Sequence, residues 1–351
     1  MSKLLFRLLL FTFFSGAGVT MARAEEDKVN PFGVLEFLSW NHSWNNFQYP
    51  DEGSLKKSIA LMKEAGIGFV RVDFSWQDIE PSQGKTDYSK YDTLVELLSQ
   101  NKINILGILD YSADWASPKG AWNYPNPDNT FFLKYAGGVV QRYKGKVKYW
   151  EIWNEPDSQT YWDPQDGLKG YVSLLKEVYI ELKKIDPYCQ ILNGGLASGL
   201  AGVNHLYDNG AQGYFDIMNI HIFETPLDSQ AVKRSQAFLK LTRKVMARNG
   251  DAYKKIWISE IGCPGVKKGE KVKNWWMGKN PTEKDQARWV KEVYGDLLKD
   301  KSVGTVFWAF FRDTNEHWKN GVDHFGLVRN DFSKKPAFTA YKEAFQKHIK
   351  K

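Results

Sequence analysis

Eight short apolar runs, each followed by a longer amphipathic one, leave few folds open to this chain. Strand candidates lie at residues 32–40, 68–74, 104–109, 147–153, 190–193, 217–222, 255–259 and 305–310. After them, apolar residues recur at i, i+3, i+4 spacing over 55–65, 87–100, 130–143, 168–185, 202–210, 229–249, 283–299 and 336–348, which predicts helices. Buried strands alternating with helices imply a parallel sheet built from βαβ units. Eight such pairs fit one (β/α)8 TIM barrel, a single α/β domain over residues 25–351. The long connections at 111–129, 155–166 and 261–280 all follow strands. They therefore belong to the C-terminal face, where barrels keep their sites.

Two of the strands run into a carboxylate. The first is Tyr149-Trp150-Glu151-Ile152-Trp153-Asn154-Glu155-Pro156. Proline cannot donate to a sheet ladder, so Pro156 stops the strand and leaves Glu155 at its tip. Partial desolvation beside two tryptophans would raise the pKa of Glu155 toward a value useful for proton donation. The second is Lys255-Ile256-Trp257-Ile258-Ser259-Glu260-Ile261-Gly262, again a short apolar strand ending on an acid. Two glutamates facing each other across a barrel mouth are what glycosidic bond cleavage requires. A gap of about 5–5.5 Å makes one of them a nucleophile, and about 6.5–9.5 Å admits a water instead. Sequence leaves that gap open.

These residues resemble glycoside hydrolase clan A, and within it family 39 and the cellulase-like family 5. The resemblance rests on Trp150 to Pro156 and Trp257 to Gly262. Arg71-Val72-Asp73-Phe74-Ser75-Trp76 with Glu80-Pro81 and Gly84 supports it, as do Tyr111 to Ala116 and Trp308-Ala309-Phe310. It implies a retaining, cofactor-free hydrolase of a polysaccharide or oligosaccharide, with Glu155 as acid/base and Glu260 as nucleophile. Asn154 would bond the sugar 2-hydroxyl, Arg71 would pair with Glu260 and keep it ionised, and Trp308 would form the floor under the reacting sugar. His221 matches a common clan position. Each role has a plainer rival: a structural Arg71–Glu36 ion pair, a core histidine, a core tryptophan. Many relatives carry a tyrosine where this chain has Phe223, so a hydroxyl beside the nucleophile must come from elsewhere or be absent. A transglycosylase on the same scaffold and a non-catalytic glycan-binding barrel are the competing functions.

Fourteen tryptophans fit a groove lined with flat rings. Trp115, Trp122, Trp162, Trp275, Trp276 and Trp318 fall in loops after strands, with Trp115 the first choice for a stacking platform. Asp110 could bind hydroxyls or only cap its loop. Residues 267–273 hold four lysines, either a solvated loop or an attraction for acidic polysaccharide.

Residues 1–24 read as a cleaved secretory leader. They combine Lys3 and Arg7, a short apolar run and the small-x-small triplet Ala22-Arg23-Ala24. The expected location is periplasmic or extracellular. Loss of three cations with the leader takes the net charge from +7 to about +4, which does not argue for nucleic acid. No later run is apolar enough to span a membrane, and a monomer is expected. Cys189 and Cys263 fall at opposite ends of parallel strands, so both are expected as free thiols. The six histidines show no paired spacing, so no metal is expected. Gly194-Gly195 lacks the Lys-Ser/Thr of a phosphate loop.

Overall fold

Every expected strand forms. They are β1 Phe32–Leu35, β2 Phe69–Ser75, β3 Asn104–Asp110, β4 Tyr149–Ile152, β5 Gln190–Asn193, β6 Met218–Phe223, β7 Ile256–Gly262 and β8 Val303–Ala309. The structure is a computed structural model that describes residues 29–350, so the expected leader lies outside the described residues. All pairings are parallel, in the order β5-β4-β3-β2-β1-β8-β7-β6. Bridges Leu192↔Ile217 and Leu196↔Ile220 connect β5 to β6 and complete the ring. The fold is a (β/α)8 barrel.

The helices are α1 Glu52–Ala65, α2 Trp76–Ile79, α3 Ser89–Gln100, α4 Thr130–Tyr143, α5 Lys169–Ile185, α6 Leu200–Asp208, α7 Ala231–Arg248, α8 Glu283–Leu297 and α9 Pro336–Ile349. Local chemistry sets their ends. Asp51 caps α1 by accepting from Ser54 N (2.7 Å), four residues before the apolar repeat begins at Leu55. Gly66, at φ 83°, ends the same helix. Thr282 and Asp285 form a capping box at α8, and Pro336 opens α9. The short α2, capped by Ser75, is too brief for periodicity to reveal. β1 stops at Leu35 rather than continuing to 40; Phe37 and Leu38 stay buried in the loop that follows.

Successive strand residues face opposite sides of a sheet, so each strand sends alternate side chains into the barrel. Phe69, Leu106, Tyr149, Leu192, Ile217, Trp257 and Phe307 form one buried apolar cluster that plugs the barrel interior. Two residues further along their strands the same faces present Arg71, Glu151, Asn219 and Ser259, all buried. The barrel thus carries a polar layer upon an apolar plug, toward the strands' C-terminal ends. Cys189 and Cys263 are both free and buried. No described helix is long and apolar enough to cross a membrane.

Candidate active site

At the end of β4 the chain leaves the sheet abruptly. Trp153 and Glu155 take left-handed backbone angles, φ 64° and 42°. Such positions cost a side-chain-bearing residue about 1–3 kcal/mol and persist only where the surroundings enforce them. Here three hydrogen bonds do so: Trp153 N to Leu109 O (3.0 Å), the Trp153 indole N–H to Tyr161 O (2.8 Å), and Glu155 N to Gly195 O (3.1 Å). Glu155 therefore sits three residues beyond the strand, with its side chain 13% exposed. The Gly194-Gly195 pair makes this closure possible. A Cβ at Gly195 would come within 2.0 Å of His221 Nε2, and one at Gly194 within 2.9 Å of the Ile152 and Trp153 carbonyls.

Glu260 lies inside β7, not at its tip, because that strand continues to Gly262. Its inward aim comes from a bulge. The β6–β7 register slips from Ile220↔Ile258 to His221↔Glu260, leaving Ser259 as the extra residue. An extra residue breaks the alternation, so Ser259 and Glu260 both reach the interior. Ser259 Oγ meets His221 Nε2 at 3.0 Å, and Glu260 Oε1 accepts from Arg71 Nη1 at 2.7 Å.

Arg71 binds the layer together. Its Nε donates to Glu151 Oε2 (2.7 Å), and its Nη2 to Glu151 Oε1 (2.9 Å) and Asn154 Oδ1 (2.7 Å). One buried guanidinium thus positions side chains from β4, from the turn after it and from β7. Burial alone would lower the Arg71 pKa, but the Glu151 and Glu260 charges outweigh it and raise it. The rival partner Glu36 accepts instead from Arg312 N (2.7 Å).

His221 joins the two glutamates. Its Nδ1 is 2.7 Å from Glu155 Oε1, and its Nε2 is 3.7 Å from Glu260 Oε1. Burial opposes charge on the imidazole, yet the Glu260 charge and the Glu155 hydrogen bond outweigh it and raise the His221 pKa. Glu155 is raised as well. Burial is the largest cause and the Glu260 charge adds to it, against a lowering by His221. Both shifts favour a proton held between the two side chains. Donor atoms of Glu155, His221 and Glu260 all lie within 4.8 Å of one another. That spacing could hold a cation. However, both His221 nitrogens already have partners and Arg71 already neutralises Glu260, so the arrangement is better suited to moving protons.

The structure brings together Glu155, Glu260, Asn154, Arg71 and His221, and leaves three expected site residues aside. Trp308 is fully buried, and its indole N–H donates to Phe325 O (2.9 Å). Phe307 beside it faces the barrel, so strand alternation turns Trp308 outward, and it offers no face to a sugar. Asp110 is also fully buried; it lies on the interior face of β3, where its carboxyl meets Asp73 and feels the Arg71 and Glu151 charges. Trp115 is partly buried, edge-on to Trp76 and Phe131, with its indole N–H bonded to Glu80 O (2.7 Å). Among the other loop tryptophans, Trp162 and Trp275 are core, whereas Trp122 and Trp276 are exposed.

Four groups at the site escaped sequence reasoning: Glu151, Ser259, Asp73 and Tyr161. Glu151 and Asp73 could have been found by parity, since each shares a strand face with a named residue. Tyr161 comes from the loop after β4. Burial raises its pKa, and the charges of Glu155 and Glu260 raise it further, so its hydroxyl lies near both glutamates.

The sequence model of Cellulase (glycosyl hydrolase family 5) matches residues 24–313. This chain belongs to that family. Among curated relatives of this family 5 chain, endo-1,4-beta-xylanase 3 of Hypocrea jecorina is 33% identical over 112 residues, covering 30% of this chain and 31% of the xylanase. Beta-galactosidase BbgII of Bifidobacterium bifidum is 27% identical over 177 residues, covering 42% of this chain and 25% of that protein. The matches thus span about a third or less of those relatives. A family 39 glycoside hydrolase from Bacteroides cellulosilyticus WH2 superposes with a TM-score of 0.69 at 22% identity, over 90% of this chain and 63% of that one. A monomeric beta-xylosidase from Caulobacter crescentus CB15 gives 0.65 at 15% identity, over 90% and 68%. At such identities the structural likeness carries the fold.

Proposed function

We propose that this chain hydrolyses glycosidic bonds of a polysaccharide or oligosaccharide with retention of anomeric configuration. The observation that carries this reading is the convergence of Glu155 and Glu260 on His221, with donor atoms within 4.8 Å, at the mouth of a family 5 barrel. An approach of this order accords with the roughly 5–5.5 Å spacing of retaining enzymes better than with the wider gap of inverting ones, which supports retention. Glu260 Oε attacks the anomeric carbon as Glu155 protonates the leaving oxygen, so one C–O bond forms and one breaks. Esterification removes the Glu260 charge, one of the causes that raise the Glu155 pKa. Glu155 is then the better base. It takes a proton from water, whose oxygen displaces Glu260 and regenerates the starting state. Arg71 and Asn154 hold the nucleophile side of the site in place, and no cofactor takes part in this scheme. Export through residues 1–24 belongs to the same reading.

The test is a hydrolysis panel of xylo-, cello- and galacto-oligosaccharides, with the first anomer released read by proton NMR. Retained configuration is expected, with Glu260→Gln inactive. First release of the inverted anomer, or no turnover on any glycan, would overturn the proposal.

A further inference from the structure

We propose that the end of the barrel opposite the active site, centred on Tyr253 and a cationic pocket beside it, docks on the anionic headgroups of a lipid surface. This inference is independent of the glycosidase reading, because none of its residues lies at the barrel mouth.

The two most exposed large apolar side chains among the described residues share this end. Tyr253, in the turn before β7, is 79% exposed, and Tyr188, in the turn before β5, is 83% exposed. Ile349, at the end of α9, joins them at 62%. Turns that lead from a helix into the next strand lie at the strands' N-terminal ends, away from Glu155 and Glu260. Both rings stand on ordered turns. Asp186 Oδ1 accepts from Tyr188 N (3.1 Å), Asp251 O accepts from Lys254 N (3.1 Å), and Asp251 Oδ2 accepts from the Tyr207 hydroxyl (2.9 Å).

A single exposed ring is ordinary; the surroundings of Tyr253 are not. A pocket of about 360 Å³ opens beside it, lined by Lys240, Arg243 and Lys244 of α7, by Ala252 and Lys254, which flank Tyr253 in sequence, and by Ser302 before β8. No carboxylate lines it. The buried Lys254 ammonium lies 3.0 Å from Asp251 Oδ1 yet makes no hydrogen bond, so its donors are left for an acceptor in the pocket. Lys240 and Lys244, one turn apart on one helix face, have no ion pair among the described residues. Residues 231–248 of α7 contain no Asp or Glu, so the helix cannot neutralise these charges itself. The helix dipole favours a cation in the last turn, which accounts for Arg248, but it fades within that turn and does not reach Lys240. Lys255 Nζ donates to Lys301 O (2.9 Å), which ties the turns before β7 and β8 together and sets two more exposed cations on the same rim.

A phosphate-bearing headgroup fits this arrangement. The pocket takes the anion, Tyr253 enters the interface with its hydroxyl at headgroup level, and the surrounding lysines add long-range attraction. Other occupants fit less well. A second copy of this chain would set cations against cations. A protein partner would need a broader apolar patch than single rings spaced among lysines. A glycan chain is held in a concave site, whereas Tyr188 and Tyr253 project from turns. No described helix can cross a bilayer, so the contact is peripheral, and it leaves the barrel mouth facing away from the surface.

The experiment sediments the full chain with vesicles of phosphatidylcholine alone or with roughly 30% phosphatidylglycerol. Parent and variants share the same N-terminal segment, so any affinity it has cancels in the comparison. At about 0.1 M salt the anionic vesicles should bind about tenfold more tightly, and the difference should vanish at about 1 M, where the Debye length falls from about 10 Å to about 3 Å. Lys240→Gln with Lys244→Gln should weaken binding about tenfold, and Tyr253→Ser about threefold with the salt dependence kept. Lys240→Arg with Lys244→Arg should bind like the parent. All three side chains are exposed, so the urea midpoints should match the parent's. Equal binding to both vesicles, salt-independent binding, or unweakened binding by the Gln and Ser variants would overturn the proposal. Competition by inorganic phosphate beyond that of chloride at equal ionic strength would assign the pocket to free phosphate. Retention on a soluble polyuronate without binding to vesicles would assign the face to an anionic polymer. Either result would overturn lipid docking.

Discussion

His221 Nδ1 lies 2.7 Å from Glu155 Oε1, and the same ring bridges to the β7 bulge through Ser259 Oγ at 3.0 Å. Glu155, the acid/base of the proposed mechanism, is therefore not an isolated carboxyl. Its Oε1 is held against an imidazole whose orientation is fixed from the neighbouring strand β7. His221, fully buried at its side chain, is a positioning residue that acts through Glu155.

Removing that imidazole should move the pH profile in a definite direction. His221 lowers the Glu155 pKa through its hydrogen bond and charge, against the raising effect of burial. In His221→Ala the lowering is lost, so the Glu155 pKa rises. The basic limb of kcat/KM, where the acid loses its proton, should shift to higher pH. A lower maximal rate is expected as well, since the carboxyl loses its orientation. A basic limb that stays put or moves to lower pH would contradict the proton-sharing account.

Arg71 should be a stability residue as much as a site residue. Its side chain is 1% exposed and pairs with Glu151, which is 0% exposed, and with Glu260. Arg71→Met would leave two carboxylates facing each other without a counter-charge. Breaking one side of a buried pair costs about 3–5 kcal/mol, to be read from urea unfolding. Arg71→Lys keeps the charge but not the fork that reaches Glu151, Asn154 and Glu260 together, and should fall in between. Equal stability of the Met variant and the parent would show that the layer does not depend on this guanidinium.

Gly195 should be intolerant of even one methyl group. A Cβ there would come within 2.0 Å of His221 Nε2, so Gly195→Ala must displace the ring or the backbone. Overpacking of this kind costs about 1–3 kcal/mol. Displacement of His221 should lower kcat more than it raises KM, because the ring acts on the acid and not on substrate binding. Unaltered kcat would mean that the imidazole can move without consequence.

The Asp73–Asp110 pair predicts a pH-dependent stability. Burial, first, and neighbouring negative charge raise the Asp73 carboxyl from 3.8 to about 6, and raise Asp110 well above its usual value. A carboxyl raised on folding takes up protons as the chain folds, so stability falls as pH rises through the window between the unfolded and folded values. For Asp73 that window runs from about pH 4 to about pH 6. Asp110→Asn removes the proton that Asp110 itself takes up on folding and should flatten the decline, leaving the variant relatively more stable at pH 7 than at pH 4. Urea denaturation across that range would show the two profiles converging or crossing; parallel profiles would count against a shared proton.

Strand and helix order was readable because it is written locally, in alternation, helical spacing and caps. Glu155 was legible for the same reason: Pro156 ends a strand beside it. Glu260 was legible as an acid at the end of an apolar run, although β7 in fact continues past it. Trp308 was misplaced because a change of one residue in strand parity turns a sugar floor into core, and parity depends on the apolar plug chosen by the whole barrel. The six loop tryptophans could not be sorted from sequence, because exposure of a loop ring is set by what other loops bring against it. Trp44 belongs with them: a 3-10 turn pinned to a loop some 270 positions away in sequence left it open.

Short-range pattern was enough to predict the barrel and to single out the two glutamates that the structure brings together, because hydrogen-bond periodicity and chain-terminating residues act over only a few positions. The working geometry was settled elsewhere. The β7 bulge, the His221 bridge, the Arg71–Glu151 pair and the buried Asp110 each join residues from different strands. Their positions depend on ring closure, which fixes distances between segments that share no local constraint.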